Sequence, residues 1–490
     1  MAAGNPPAAG RTALVVGGGI SGLVAARELA QAGLRTTLLE ATDAWGGCVG
    51  RHEVAGLTLD SGAESFATRS SAVADLAAEL GLAGNIVAPH SGGAWVQLPD
   101  GPRELPKTGV LGIPANPWDP EVRRSLGLRG SLRASLDKFL PSSVGTRADV
   151  SSVSALVRAR MGRRVLERLV EPVVGGVHSA DPGLLDVDMV APGLRAGITR
   201  HGSLAAAVAA QRKGTGVQGS RVPGSGGQRV PAKAGSAVAG LTGGMHTLVA
   251  ALVADLRRRG VELVPATRAD AVARTAAGWR TAALGETYDA DVLVIALDGP
   301  SAVGLLEDAV PALAGHRPGA GPEVKLVTLV VDLPELDARP RGTGILVAPQ
   351  TAGIRAKALT HATAKWDWLA AEAGPGRHVV RLSYGRRDSA APAGPAPAAG
   401  PDAALLDIAL QDASALLTVP VKPENLAGWD VVSWAGALPF AAVGHRQRVA
   451  DVRRICSGSE SLLMVGGWLA GNGLAAVVAD TRKQLQAFLQ

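Results

Sequence analysis

The sequence predicts an α/β protein: a Rossmann-like dinucleotide-binding core assembled from discontinuous segments, with a mixed-sheet domain and an inserted helical domain. Three observations predict it. A strand, a glycine turn, a helix and a second strand follow one another in "TALVVGGGISGLVAARELAQAGLRTTLLE" near the N-terminus. Further strand and helix patterns recur at 240–300 and 462–490. The stretches between them differ in character, helical at 111–210 and strand-like at 320–385. At 490 residues the chain exceeds one compact core, so several domains are expected.

Each element has a local reason. "TALVV" is a short apolar strand, and "LVAARELAQAG" a helix stopped by Gly33. "TLVAALVADLRRRG" places apolar residues at helical spacing, ends in a basic turn and stops at Gly260. "VELVPA", "DAVART" and "GWRTAAL" read as short strands, and "ADVLVIAL" as a buried one. "SLLMVGG" is the last strand, and "GNGLAAVVADTRKQLQAFL" a helix opened by glycines. Residues 211–240 are rich in Gly, Pro and basic residues and read as a long loop. Residues 389–402 read as a Pro/Ala connector. The expected core is thus built from 11–60, 240–303 and 445–490. Segments 61–110, 211–239 and 304–444 form a substrate-binding domain, and 111–210 the helical domain.

"VVGGGISG" contains G-x-G-x-x-G at Gly17, Gly19 and Gly22, between an apolar strand and a helix, the context that pattern requires. Gly17 permits the tight turn. Gly19 lets backbone approach a pyrophosphate, and Gly22 lets helix and strand pack closely. The helix N-terminus offers unpaired N–H groups to phosphate. Glu40 follows 18 residues after Gly22, where a carboxylate accepts hydrogen bonds from ribose hydroxyls and repels a 2′-phosphate, which disfavours NADP. FAD and NAD share this fingerprint.

Composition narrows the function classes. Net charge is +6, with no block of five or more like charges, which argues against nucleic acid. Two cysteines, Cys48 and Cys456, make neither a disulfide framework nor a zinc site, and they fit a reducing cytoplasm. "MAAGNPPAAG" lacks the features of a signal peptide. The histidines show no H-x-x-H or H-E-x-x-H spacing, so a metal site is not expected.

A second glycine pair, Gly46–Gly47, follows Glu40 in "LLEATDAWGG". This resembles the acid-then-double-glycine signature of the FAD-dependent amine oxidase and porphyrinogen oxidase superfamily. "LDSGAESFATR" resembles the segment that passes the flavin in bacterial porphyrinogen oxidases. "EPVVGGVHSADPGLLDVDMVAPGL", "LTGGMHTLVAAL", "SWAGALPFAAVGH" and "VGGWLAGNGLAAVVAD" are similar, in order, to further motifs of that group. The likeness is greatest to the oxygen-using coproporphyrinogen III oxidases of Gram-positive bacteria.

The resemblance implies FAD as cofactor, a porphyrinogen as substrate and molecular oxygen as acceptor. A methylene bridge gives a hydride to the flavin and a pyrrole N–H loses a proton; three such rounds yield the aromatic porphyrin. It implies flavin contacts from Gly17, Gly18, Gly19, Ile20, Ser21, Gly22, Glu40 and Ala41 at the ADP half. Gly47 and Cys48 fall at the pyrophosphate and ribityl, and Gly62, Ala63, Glu64 and Ser65 at the flavin side. Ala269 falls at adenine, Asn472, Gly473 and Leu474 at the last helix, and Trp434 beside the flavin or in plain core packing. No acid/base constellation stands out, and no catalytic residue is assigned. Cys48 reads as a small side chain contributing backbone rather than as a redox thiol.

Three departures from the family pattern bear on substrate preference. Phe440 and Ala441 stand where relatives carry Gln-Tyr. Thr481 replaces a glycine, and the 211–240 insert is long. Within that insert Lys213, Arg221, Arg229 and Lys233 are candidates to guide an anionic substrate, against a plain solvated loop. Other readings are a protoporphyrinogen IX oxidase, an amine oxidase or carotenoid desaturase, and a non-catalytic flavin- and porphyrin-binding protein. The family also suggests a downstream haem-pathway enzyme as partner and a peripheral membrane contact. No strongly amphipathic basic helix is evident in the sequence.

Overall fold

The computed structural model describes residues 10–106, 109–146, 152–178, 180–216, 238–385, 402–436, 441–459 and 461–490. The first strand, Thr12–Val16, is the centre of a five-stranded sheet in which every pairing is parallel. Its order is Glu262–Val264, Arg35–Leu39, Thr12–Val16, Val292–Ile295, Leu462–Met464. Such a sheet is buried on both faces, which is why "ALVV" and "VLVI" are apolar throughout rather than alternating. Three helices cover one face: Ile20–Gln31, His246–Arg258 and Leu474–Leu489. An antiparallel meander, Ala269–Thr275, Gly278–Ala283 and Glu286–Ala290, contributes Trp279 to the opposite face. Its third strand was absent from the sequence reading.

Buried charge ties the three helices together. Arg27 Nε donates to Asp255 Oδ2 at 2.9 Å and its Nη1 to Glu79 Oε2 at 2.6 Å. Arg482 reaches the same Glu79 carboxylate and also pairs with Glu28.

The second sheet has seven strands, ordered Leu426–Trp434, Val324–Asp332, Arg377–Tyr384, Ala358–His361, Gly344–Val347, Trp95–Leu98 and Gly101–Glu104. It is mixed: Gly344–Val347 runs parallel to Trp95–Leu98 and the other pairs are antiparallel. Helix Asp402–Leu417 packs on one of its faces.

The helical layer runs from Pro120 to Gly216. Its centre is Arg160, fully buried, whose Nε donates to Asp137 Oδ1 at 2.5 Å and whose Nη atoms reach carbonyls of Pro141, Val144 and Asp137. Asp137 Oδ2 in turn accepts the Ala205 N–H. Two expectations change here. The helix Leu204–Gly216 runs into the segment read as a loop, and carries Lys213. Residues 109–114 form a small hairpin ahead of the helices. Arg221, Arg229, Lys233, Phe440 and the 389–401 part of the connector lie outside the described residues. No helix among the described residues is long and apolar enough to cross a membrane.

A candidate flavin site

The glycine turn is as tight as its sequence predicts. A Cβ on Gly22 would lie 1.8 Å from the Gly17 carbonyl oxygen, and one on Gly17, at φ +106°, 2.7 Å from the Ala296 oxygen. Strand and helix therefore touch backbone to backbone. Gly18 is covered by the Trp45 ring. Ile20 and Ser21 are buried in the first turn of the helix, which has no side-chain cap.

Gly19 differs from its neighbours: a Cβ there would meet no protein atom within 4 Å. One on Gly47 would meet only the Gly19 Cα, at 3.4 Å. The two backbones run side by side, with Gly46 N–H donating to Gly18 O at 2.8 Å. They border an open cradle at an uncapped helix N-terminus, which fits a pyrophosphate.

At the next strand end, Glu40 Oε2 accepts the Gly18 N–H at 2.7 Å, and Oε1 accepts the Thr42 N–H and hydroxyl, each at 2.9 Å. The carboxylate is thereby aimed beside the turn, with acceptor capacity left on Oε2 for a ribose hydroxyl. Ala41 is exposed next to it. The backbone of 266–267 bonds to Thr42 and Glu40, which brings the partly buried Ala269 alongside.

From the second glycine pair the groove is lined by a ladder of backbone. Ala63 N–H donates to Cys48 O at 2.9 Å, and Ser61 N–H to Gly50 O at 3.0 Å. A Cβ on Gly62 would sit 2.0 Å from the Cys48 oxygen and 3.4 Å from the Trp434 ring. Trp434 Nε1 donates to Ser61 O at 2.8 Å. The half-buried indole therefore packs against the 61–62 backbone and holds it. The Cys48 side chain is exposed, yet the protein crowded around it pushes the thiol pKa up, away from the reactive thiolate.

Glu64 and Ser65 complete the segment. Glu64 Oε1 accepts Lys365 Nζ at 2.6 Å, and Oε2 lies 3.1 Å from Arg381 Nη2. Burial opposes ionisation of Glu64, but Lys365 and Arg381 outweigh it and hold the carboxyl at about 2. Sequence reasoning placed Glu64 here but missed both cations. A third edge comes from the closing helix, which begins at Leu474, is uncapped and follows Gly473 at φ +100°. Leu474 is buried beside the first helix in the same core, with Asn472 half-buried and Gly473 exposed. The departure Thr481 is fully buried in that helix.

Other sequence motifs meet at a seam. Asp186, from the "EPVVGGVHSADPGLLDVDMVAPGL" stretch, caps helix Val187–Val190, and its Oδ2 accepts the Gly444 N–H at 3.1 Å. Asp186 N–H donates to Ala441 O at 2.8 Å. His445 Nε2 lies 2.6 Å from Trp468 O, and His246 Nδ1 2.9 Å from Asp60 Oδ1. Both histidines are thus engaged in structure.

Two outcomes follow. Gly19→Ala should leave the unfolding temperature unchanged but weaken FAD binding about tenfold or more, whereas Gly22→Ala should destabilise the fold itself. Fluorescence titration of the flavin-free protein with FAD, beside thermal unfolding, separates them; equal effects from both would refute the cradle. The second concerns pH. The folded pKa of Glu64 lies below the ordinary value of about 4.3. Its stabilisation is therefore fully present above that value and is lost as pH falls from about 4.5 towards 2. Glu64→Gln strands two buried cations and should cost about 3 kcal/mol at neutral pH. The gap to wild type should shrink through that window in unfolding curves taken from pH 7 to 3.

Known proteins share this architecture. The model of the flavin containing amine oxidoreductase family matches residues 20–476. A coproporphyrinogen III oxidase from Propionibacterium freudenreichii is 30% identical over 96% of this chain and 89% of its own length. The one from Bacillus subtilis (strain 168) is 26% identical over 94% of each. A crystal structure from Exiguobacterium sp. 255-15, provisionally named a protoporphyrinogen oxidase, superposes with a TM-score of 0.78. It is 23% identical, covering 98% of this chain and 99% of that one, and so shows the fold. With a dinucleotide cradle at Gly19 and Gly47 and a family match over most of its length, the chain belongs to the flavin containing amine oxidoreductases, and its cofactor is FAD.

Proposed function

We propose that this protein is an FAD-dependent oxidase that converts coproporphyrinogen III to coproporphyrin III with molecular oxygen as acceptor, in porphyrin and haem biosynthesis. The observation that carries the reading is the unbroken backbone path from the pyrophosphate cradle, through Cys48 and Ala63, to Trp434 at the edge of the mixed sheet. It leads a cofactor out of one layer to the border of another, the position at which a bulky substrate can meet it. The curated relatives of near-equal length support the substrate class. When bound, FAD supplies the hydride acceptor. The chain binds it through Gly17–Gly22 and Glu40, orients it with the 46–50 and 61–65 backbones, and walls the groove with Trp45 and Trp434. The domain boundaries given above are part of this proposal, with 11–60, 240–303 and 445–490 as the FAD domain.

Aerobic incubation with coproporphyrinogen III should give porphyrin fluorescence well above autoxidation, dependent on FAD, with hydrogen peroxide formed alongside. The runner-up substrate, protoporphyrinogen IX, has two vinyls in place of two propionates, and the ratio of kcat/KM for the two substrates decides between them. No acceleration with either would leave the non-catalytic binding reading in place of the oxidase.

We further propose a peripheral contact with an anionic lipid surface, through a helix that the sequence did not single out. Gly127, at φ +68°, breaks the helix Pro120–Ser135, and the following piece turns its small or polar Gly130, Ser131 and Ala134 inward. Leu128, Leu132, Leu136 and Phe139 project outward, 47–73% exposed. This inverts the usual apolar-inward arrangement. The stripe has Arg129 and Lys138 exposed beside it, while the acid within it, Asp137, is buried against Arg160. Apolar centre and cationic flanks match an anionic bilayer surface. Flotation with vesicles containing phosphatidylglycerol should carry the protein up, and vesicles of phosphatidylcholine alone should not. Leu132→Glu with Phe139→Ser should abolish it. Absence of flotation, or lipid-free dimerisation through the same residues, would reject the proposal.

A further inference from the structure

We propose that Arg381 is the positioning residue for the flavin edge of the groove, clamping the Asp60–Glu64 backbone so that its remaining face is presented to the isoalloxazine. The inference rests on the flavin site described above and deepens it.

The segment after strand Leu57–Asp60 has no regular ladder of its own, yet its buried polar groups must be satisfied. They are satisfied from two sides. On one, the N–H groups of Ser61 and Ala63 bond to the 48–50 turn. On the other, three successive carbonyls are held from the mixed sheet. Arg381 Nη1 donates to Asp60 O at 3.1 Å and Gly62 O at 2.8 Å, and Trp434 Nε1 takes Ser61 O between them. The other arm of the same guanidinium, Nη2, pairs with Glu64, which Lys365 holds from its other oxygen. The Asp60 carboxylate is engaged elsewhere, by the N–H groups of Met245 and His246 at the start of a core helix.

One planar fork therefore fixes two carbonyls and a carboxylate at once. A lysine ammonium is a point charge and cannot reproduce that geometry. The residues span the chain: Arg381 and Gly62 are 319 positions apart, so the clamp locks the mixed sheet to the cofactor groove. Behind it lies a cavity of about 30 Å³ lined by Asp60, Glu64, Thr328, Trp366, Trp368 and Arg381. Trp368 Nε1, buried, has no hydrogen-bond partner among the described residues. The rest of its wall is apolar, from Leu59, Ala362, Leu369 and Val379.

The test is Arg381→Lys in the full-length holoprotein, with Arg377→Lys as a control. Arg377 lies on the same strand in an exposed pair with Asp332. Three readouts are the visible circular dichroism of bound flavin, the FAD dissociation constant, and kcat against KM for coproporphyrinogen III. The clamp predicts that Arg381→Lys alters the flavin dichroism and weakens FAD about tenfold, a change of about 1.4 kcal/mol. It lowers kcat more than it raises KM, while Arg377→Lys matches wild type. A fall in melting temperature with unchanged dichroism and affinity would overturn positioning and leave a plain structural ion pair. If Arg381→Lys does not fold, Trp434→Phe removes the middle hydrogen bond, together with part of the ring contact on Gly62, and must change the dichroism in the same sense; an unchanged spectrum refutes the clamp. Wild-type protein that takes up no FAD would overturn the flavin site and this inference together, whereas normal FAD uptake with a silent Arg381→Lys removes the inference alone.

Discussion

The structure depends on one close approach. The Gly17 carbonyl occupies the space that a Cβ on Gly22 would need, so the first helix lies directly on the first strand. That contact fixes where the helix begins, and its leading N–H groups then open onto the groove. Because Gly18 has no side chain, Trp45 can lie on it, and the backbone at Gly46 can bond to it at 2.8 Å. The second glycine pair is thus placed by the first. The 61–65 segment is placed by the turn that follows, and Trp434 by that segment. Position passes outward from a single backbone contact, through hydrogen bonds of ordinary length.

The parts legible in sequence are those set by neighbours in the chain. The strand–turn–helix at 12–31 announces itself through an apolar run, three glycines and a stop, and the acid at Glu40 through its distance from them. The seven-stranded sheet is not legible in this way, because its order joins Trp95–Leu98 to Gly344–Val347 across some 250 residues of chain. Lys365 and Arg381 are invisible for the same reason: 49 basic and 43 acidic residues carry no label saying which will meet. The outward stripe at 128–139 is illegible for a different reason. Leucines at helical spacing suggest a core face, and only the direction of Gly130, Ser131 and Ala134 shows that they point outward. Residues 204–216 were half misread because glycine and lysine at the helix end look like loop composition.

Two residues show why a site cannot be read from residue type. Trp434 offered two readings, core packing or flavin contact. In the fold its half-buried ring packs on Gly62 while its N–H holds Ser61, a backbone-holding role that neither reading described. Cys48 offered chemistry by type. Its carbonyl receives the Ala63 N–H, and its thiol pKa is raised by the surrounding protein. Among its groups it is the carbonyl that is tied into the 61–63 backbone, while the side chain is exposed.

Buried charge in this protein lies where separate parts of the chain join, and the composition explains why. Aromatics make up only 3% of residues, so the core is built largely from Ala, Val and Leu, whose surfaces offer little distinctive shape. An apolar face of that kind can slide on its neighbour at small cost. A buried charge cannot, since leaving its partner behind costs several kcal/mol. Arg27 with Asp255 and Glu79 fixes the helices over the parallel sheet. Arg160 with Asp137 fixes the helical layer internally. Asp186 joins that layer to the 441–445 stretch through two backbone groups. Arg381 with Glu64 fixes the mixed sheet to the cofactor groove. These pairs add little net stability after desolvation, but each makes one register of the packed faces better than the next.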